Sequence, residues 1–307
     1  MNKLLIICLL AACICRAQDP VFTMGYFSSM HLNPALTGYQ NGVKTNSNLR
    51  IRWPNLAGNF ITHAHGAQIG IEKIKAGVGL LASADLAGNV VSTVNIGLNL
   101  SKTFALNDKL ALSIGTSFNF QQKSIDWSKL TFSDMLDAKY GFTSPPIGTT
   151  MNTTVNYFNF CSGVLFTYTL GNIGFTASNI NQPNQSFFDN HIAKLPVRYT
   201  MHATHDFNVI PGNILVISPS IITNYQQDFQ SLISGVTTRC KWLKAFTGYS
   251  TANAVILGTG VQFPYFSMNY LYEITISELS NTTGGSHEVA LSVRFGKKYD
   301  AREINAF

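Results

Sequence analysis

Apolar and polar residues alternate with period two through most of this chain, and that period limits what it can fold into. Val94, Ile96, Leu98 and Leu100 alternate with Asn95, Gly97, Asn99 and Ser101. Leu110, Leu112, Ile114, Phe118 and Phe120 alternate with Ala111, Ser113, Gly115, Asn119 and Gln121. Phe158, Phe160, Val164, Phe166 and Tyr168 share one phase, as do Val289, Leu291, Val293 and Phe295 near the other end of the chain. Successive strand side chains point to opposite faces, so each run is a strand with one apolar face and one face of small or polar groups. Such runs predict about fourteen strands, at 43–53, 60–71, 76–85, 91–104, 110–121, 157–168, 173–180, 196–207, 214–225, 229–239, 243–250, 254–262, 266–276 and 286–295.

The connections sort by parity. Those after even-numbered strands are short: 72–75, 105–109, 170–172, 207–213, 240–242 and 263–265. The long ones, 122–156, 181–195 and 277–285, all follow odd-numbered strands. Short turns at one end and long loops at the other characterise transmembrane β-barrels, with the short turns and both termini on the periplasmic side. Closure also removes the sheet edges that so many strands would otherwise expose. The expected fold is an all-β, antiparallel, up-and-down transmembrane barrel. Seven aromatics, Trp53, Tyr168, Tyr199, Tyr225, Trp242, Tyr249 and Tyr265, fall near strand ends, where an interfacial girdle would place them. The competing reading is ordinary packing in a soluble β protein.

Composition agrees with a lipid-facing surface. Charged residues are 12% of the 307, against roughly 25% in soluble domains. Lys3, an apolar run over 4–14 and the small residues Cys15 and Ala17 form an export signal, with cleavage expected after Ala17. Leu10-Ala11-Ala12-Cys13 also fits a lipobox, but the polar Gln18-Asp19-Pro20 favours the later site. The expected organisation is a signal peptide at 1–17, a leader or plug at 18–42 and the barrel at 43–307. Residues 18–42 do not alternate, and they lie either in or below the barrel or along its periplasmic side. Loss of Lys3 and Arg16 leaves 19 basic against 15 acidic residues, scattered without the basic patch that nucleic acid requires. Only Cys161 and Cys240 remain after cleavage, and two isolated thiols are favoured over one bridge.

Catalytic and cofactor signatures are not found. No Gly-rich loop opens a helix after a strand, and no Cys-x-x-Cys or His-Glu-x-x-His occurs. His63 and His65 share a strand face, read here as a lumen-side polar pair, and no third ligand stands at a fixed spacing from them. His287 and Glu288 are adjacent, so they point to opposite faces and cannot act on one atom. The reading is therefore a protein that is not an enzyme, with no cofactor and no metal.

Several segments, in matching order, resemble a known family. Gln18-Asp19-Pro20 with Asn33-Pro34-Ala35 and Gly38, then Arg50-Ile51-Arg52-Trp53-Pro54, then Gln122-Lys123-Ser124-Ile125-Asp126, and finally Gly285-Ser286-His287-Glu288-Val289 are similar to motifs of the PorP/SprF outer-membrane proteins of Bacteroidetes. Ile51 and Arg52 depart from the family's Asn and Gln, and Tyr270-Leu271-Tyr272-Glu273 only loosely follows its Tyr-Ser-Tyr-Asp. The resemblance implies a barrel in outer-membrane lipid that serves type IX secretion and gliding motility. Its implied partners are secreted cargo proteins with a type IX C-terminal domain, such as adhesins, and periplasmic secretion or motility components. The matching positions Asn33, Pro34, Ala35, Arg50, Trp53, Asp126, Ser286, His287 and Glu288 become the candidate partner contacts.

Three functions compete: a secretion-linked barrel, a passive porin or small-molecule transporter, and a soluble secreted adhesin. Inward candidates such as Gly97, Ser113, Gly115 and Gly163 suit either a narrow channel or a lumen filled by the leader. Bilayer conductance separates the first two, and detergent dependence separates both from the third.

Overall fold

The computed structural model describes residues 19–39, 42–130, 136–137, 141–142, 152–188, 191–210, 212, 214–277 and 280–296. The expected signal peptide lies outside these residues. Period two becomes fourteen antiparallel barrel strands among them. These are β1 (Gly42–Arg52), β2 (Phe60–Ile71), β3 (Ala76–Ala87), β4 (Val91–Ala105), β5 (Leu110–Ile125), β6 (Thr154–Tyr168) and β7 (Gly171–Ser178). The others are β8 (Arg198–His205 with Phe207–Ile210), β9 (Leu215–Gln226), β10 (Phe229–Cys240), β11 (Leu243–Ser250), β12 (Ala254–Gln262), β13 (Phe266–Thr275) and β14 (Ser286–Phe295). Each pairs with its neighbours in sequence, and β14 closes on β1 from Val43↔Phe295 to Arg52↔Ser286. β8 is interrupted at Asp206, where the β8–β9 ladder passes from Thr204↔Ser220 to Phe207↔Ile217 across Pro219, which has no N–H to give.

The barrel is inside-out relative to a soluble protein. In β4, Val94, Ile96, Leu98 and Leu100 face outward and are exposed, while Asn95, Asn99 and Ser101 are buried inward. Ile96 and Phe158 are 59% and 65% exposed, and with Phe118, Phe120 and Phe160 they belong to a continuous apolar belt. A belt of that extent is stable against lipid, not water. Phe118–Phe160 and Phe120–Phe158 meet edge-to-face across β5 and β6, at 5.6 and 5.5 Å between ring centroids. Tyr199, Tyr225 and Tyr249 at the long-loop end, and Trp242 and Tyr265 at the short-turn end, are exposed above and below the belt, as girdles require. No helix among the described residues is long and apolar enough to cross a membrane.

The turns after even strands are the short ones, and the long connections after β5, β7 and β13 leave and rejoin the wall at the opposite end. Two boundaries differ most from the sequence reading. Phe207–Ile210, expected in a turn, is strand. β5 and β6 continue to Ile125 and from Thr154, so the ends of the expected loop 122–156 are strand. Gln122↔Asn156 and Ser124↔Thr154 pair above the apolar belt, where water wets both faces and no hydrophobic alternation marks a strand.

Residues 19–39 run through the lumen. They carry one turn of helix, Ser29–Leu32, and a 3-10 turn, Pro34–Leu36. Met24, Leu32, Ala35 and Leu36 are buried with Leu165, Ile222, Phe246, Ile256 and Leu271 of the wall, so the apolar core lies between this segment and the barrel. Each fully buried side chain such as Phe22, Met24 or Leu36 contributes about 1.5–3 kcal/mol. The opposite wall is cut back to admit the segment. A Cβ on Gly115 would stand 2.3 Å from Ala35 N, and one on Gly163 would stand 2.2 Å from Asn33 Oδ1.

Candidate functional site

Some of the leader's backbone polar groups pair within its own turns, as Leu32 N–H does with Ser28 O at 3.0 Å and Leu36 N–H with Asn33 O at 3.0 Å, and wall side chains satisfy others. At the short-turn end, Gly38 N–H donates to Gln68 Oε1 at 2.7 Å and Ser101 Oγ donates to Thr37 O at 2.6 Å. Higher up, Asn99 Nδ2 donates to Met30 O at 3.2 Å and Thr176 Oγ1 to Leu32 O at 3.2 Å.

Asn33 is the central joint. Its Oδ1 accepts Ala35 N–H at 2.9 Å, capping the 3-10 turn, with Pro34 in the first position. Its Nδ2 donates to Val164 O at 3.1 Å and lies 3.1 Å from His202 Nε2. An amide NH2 only donates, so His202 Nε2 accepts and Nδ1 carries the proton, which it gives to the Tyr26 hydroxyl at 3.0 Å.

At the long-loop end the leader meets a charged clamp. Arg50 Nη2 donates to Glu273 Oε1 and Oε2 at 2.8 and 2.9 Å, and Arg50 Nη1 donates to Val21 O. Glu288 Oε2 accepts Thr23 N–H at 2.9 Å, and its Oε1 accepts Met24 N–H at 3.0 Å and Asn48 Nδ2 at 2.9 Å. Thr23 Oγ1 donates to Glu273. Glu288 is 1% exposed, so these partners replace the water that both carboxylates would otherwise need. Asp19 continues the pattern, its Oδ2 accepting from Asn179 Nδ2 at 2.8 Å and Gln226 Nε2 at 3.0 Å.

These contacts fix the leader's direction. Arg50, Glu273, Glu288, Asn179 and Gln226 all stand at the long-loop ends of their strands, whereas Gly42 begins β1 at the short-turn end. The described chain therefore starts at the long-loop end, not at the short-turn end where the sequence reading put both termini.

The candidate residues divide. Arg50 and Glu288 hold residues 21–24, and Ser286 is buried inward in the same phase as Glu288. Asn33, Pro34 and Ala35 seat mid-lumen against β5–β8. Trp53 sits apart at the barrel rim, at φ 56°, its N–H donating to Gly285 O at 2.9 Å and the Arg52 guanidinium 4.3 Å over its ring. His287 faces outward, its Nδ1 2.8 Å from the Tyr270 hydroxyl. Asp126 is exposed on the loop after β5, where hydrogen bonds from Ser128 hold its carboxyl below the usual carboxylate range, with Lys129 at 3.3 Å. The lumen-side reading of His63 and His65 is corrected. Both are exposed on the outer face, in phase with Ile69 and Ile71, and His63 Nε2 lies 2.9 Å from Ser47 Oγ. Cys161 and Cys240 are free thiols. No group of three or more His, Cys, Asp or Glu with metal-site geometry occurs among the described residues.

Sequence reasoning missed Glu273, Asn48, Asn179, His202 and Gln226. A signal existed for Glu273: it shares the inward phase of Ser267 and Asn269, where a charge must find a partner inside the barrel.

The described residues of the connections after β5 and β7 meet. Trp127 lies 6.0 Å from Phe187 and 6.1 Å from Phe188 between ring centroids. Trp127 Nε1 donates to Asn152 O at 3.2 Å, Asn152 N–H to Phe187 O at 3.1 Å, and Lys123 Nζ to Gln185 Oε1 at 2.9 Å.

Among solved structures, the chain is similar to the toluene transporter TbuX of Ralstonia pickettii at 12% identity, with 88% of this chain and 94% of that one covered and a TM-score of 0.52. It is similar to a FadL homologue of Pseudomonas aeruginosa at 11% identity, with 91% and 99% covered and a TM-score of 0.52. These likenesses are of fold: both are outer-membrane barrels. No curated protein sequence matches the chain. Residues 14–293 match the family described as type IX secretion system membrane protein PorP/SprF. The closed barrel, its apolar belt and this match over nearly the whole chain lead to one conclusion: the chain is an outer-membrane β-barrel that belongs to the PorP/SprF family of type IX secretion system membrane proteins.

Proposed function

We propose that this barrel is a non-catalytic part of the type IX apparatus that supports export and surface attachment of specific secreted proteins, adhesins among them. One observation carries the reading beyond family membership. The lumen is occupied by the chain's own leader, tied to the wall from Asp19 to Gly38. A barrel filled in this way offers a secreted partner its outer surface rather than its interior. The long connections after β5, β7 and β13, the first two joined through Trp127, Phe187 and Phe188, are that surface and face the cell exterior. Loops on a rigid scaffold commonly carry recognition. The short-turn end faces the periplasm, where a groove of about 550 Å³ beside Lys109, Tyr168, Leu170 and His205 is the place for a secretion or motility component.

The transporter reading has one observation in its favour. The amide groups of Asn46 and Asn269 are buried on the inward face of the wall with no hydrogen-bond partner among the described residues, which leaves polar sites for water. Deleting the gene separates the two. The secretion role predicts that one or a few large proteins leave the cell surface while small-solute uptake is unchanged. Impaired uptake with an intact surface profile would favour the transporter.

A further inference from the structure

The amino-terminal end of the leader is built into the roots of the long loops. Asp19 Oδ2 accepts from Asn179, the first residue after β7, and from Gln226, the last residue of β9. The same two amides also donate to Pro196 O, at 3.1 and 3.2 Å, just before β8 begins. Asp19 N–H donates to Gln226 Oε1 at 3.3 Å, and Arg198 Nη1 reaches Pro20 O at 3.4 Å. One carboxylate therefore ties the start of loop 179–197 to β9 and orients the two amides that hold the loop's end at Pro196. Below it, Val21, Thr23 and Met24 are held through backbone atoms by Arg50 and Glu288. Those contacts keep the tip in place whichever side chains precede it.

We infer that the leader threads the barrel so that the mature amino terminus is presented on the cell-exterior face, where Asp19 is a positioning residue for loop 179–197 and the tip forms part of the surface met by a secreted protein. This rests on the proposed function for the identity of the exterior face. It reverses the usual expectation for a barrel whose signal peptide is removed in the periplasm. The end released there has to lie inside the closed wall with its tip at the far mouth, so leader and barrel fold as one unit.

Single cysteines test the placement on intact cells, in a Cys161→Ser, Cys240→Ser background, with a membrane-impermeant maleimide. Asp19→Cys reports the tip, Phe188→Cys the long loop and Asp108→Cys the short-turn end. An epitope inserted between Gln18 and Asp19 reports the same position with the carboxylate intact. The expected result is labelling of the tip, the epitope and Phe188→Cys on intact cells, and of Asp108→Cys only after permeabilisation. Labelling of the loop without the tip or the epitope overturns the inference and leaves the proposed function standing. Labelling of Asp108→Cys without the loop reverses the orientation and removes the basis of both. The pin is read separately on purified protein. Asp19→Ala should speed proteolytic cleavage within 179–197 while the heat-resistant folded band persists, and Asp19→Asn, which keeps one acceptor, should lie between it and wild type. An unchanged cleavage rate in Asp19→Ala overturns the positioning role.

Discussion

Glu288 of the last strand accepts the backbone N–H of Thr23 at 2.9 Å, joining the two ends of the barrel chain across 265 positions of sequence. Through that bond the seam between β14 and β1 and the filling of the lumen become one structural event. Arg50 of β1 and Glu273 of β13 complete the link.

The clamp makes removal of a single member costly. Glu288→Ala leaves the Thr23 and Met24 N–H groups and the Asn48 amide without their acceptor, at about 1–3 kcal/mol for a buried group left unsatisfied. Arg50→Ala breaks the buried pair with Glu273, at about 3–5 kcal/mol. The folded, heat-resistant band of the detergent-solubilised protein should convert at a clearly lower temperature in Glu288→Ala, and in Arg50→Ala through the stranded Glu273. Wild-type conversion temperatures in both would mean that the clamp carries no stability.

Filling the space beside the leader should open the barrel. Gly115→Val places a side chain where Pro34 and Ala35 now lie, and Gly163→Val does the same at Asn33. The strands tolerate valine well, so the wall should assemble while the leader cannot seat. Planar-bilayer recordings should show low conductance for wild type and large, steady steps for either variant. Equal conductance in all three would contradict a leader that fills the lumen.

The aromatic joint between the outer loops should be separable from the barrel. Trp127→Ala removes contacts with Phe187 and Phe188, each such pair worth about 0.5–1.5 kcal/mol. Limited proteolysis should cut 179–197 faster, with no change in the temperature at which the barrel unfolds. A lowered unfolding temperature with unchanged loop cleavage would place Trp127 in the barrel's own stability instead.

Much of the fold was legible because lipid and a polar lumen impose opposite demands on alternate residues. That contrast fades where both faces are wet, which is why Gln122, Ser124, Thr154 and Asn156 read as loop although they pair. His63 and His65 were misplaced because a polar residue was assumed to face the lumen, whereas the period itself sets them in phase with Ile69 and Ile71. Asn33, Arg50 and Glu288 were found through the family resemblance, and their common role in holding the leader was not. No local pattern encodes it, since the bonds from Asp19 to Asn179 and Gln226 span 160 and 207 positions. The leader has no period, so its direction through the lumen appears only in such long-range contacts.

Shortening 181–195 to a tight turn, with the barrel otherwise intact, bears most directly on the secretion role. The measurement is quantitative surface proteomics of wild type, a deletion strain and a strain carrying the shortened loop, with barrel assembly verified by its heat-resistant band. The account predicts that the same one or few large proteins disappear from the surface in both altered strains, while growth on limiting small nutrients matches wild type. An unchanged surface profile in both, together with impaired growth on a limiting nutrient, would contradict it.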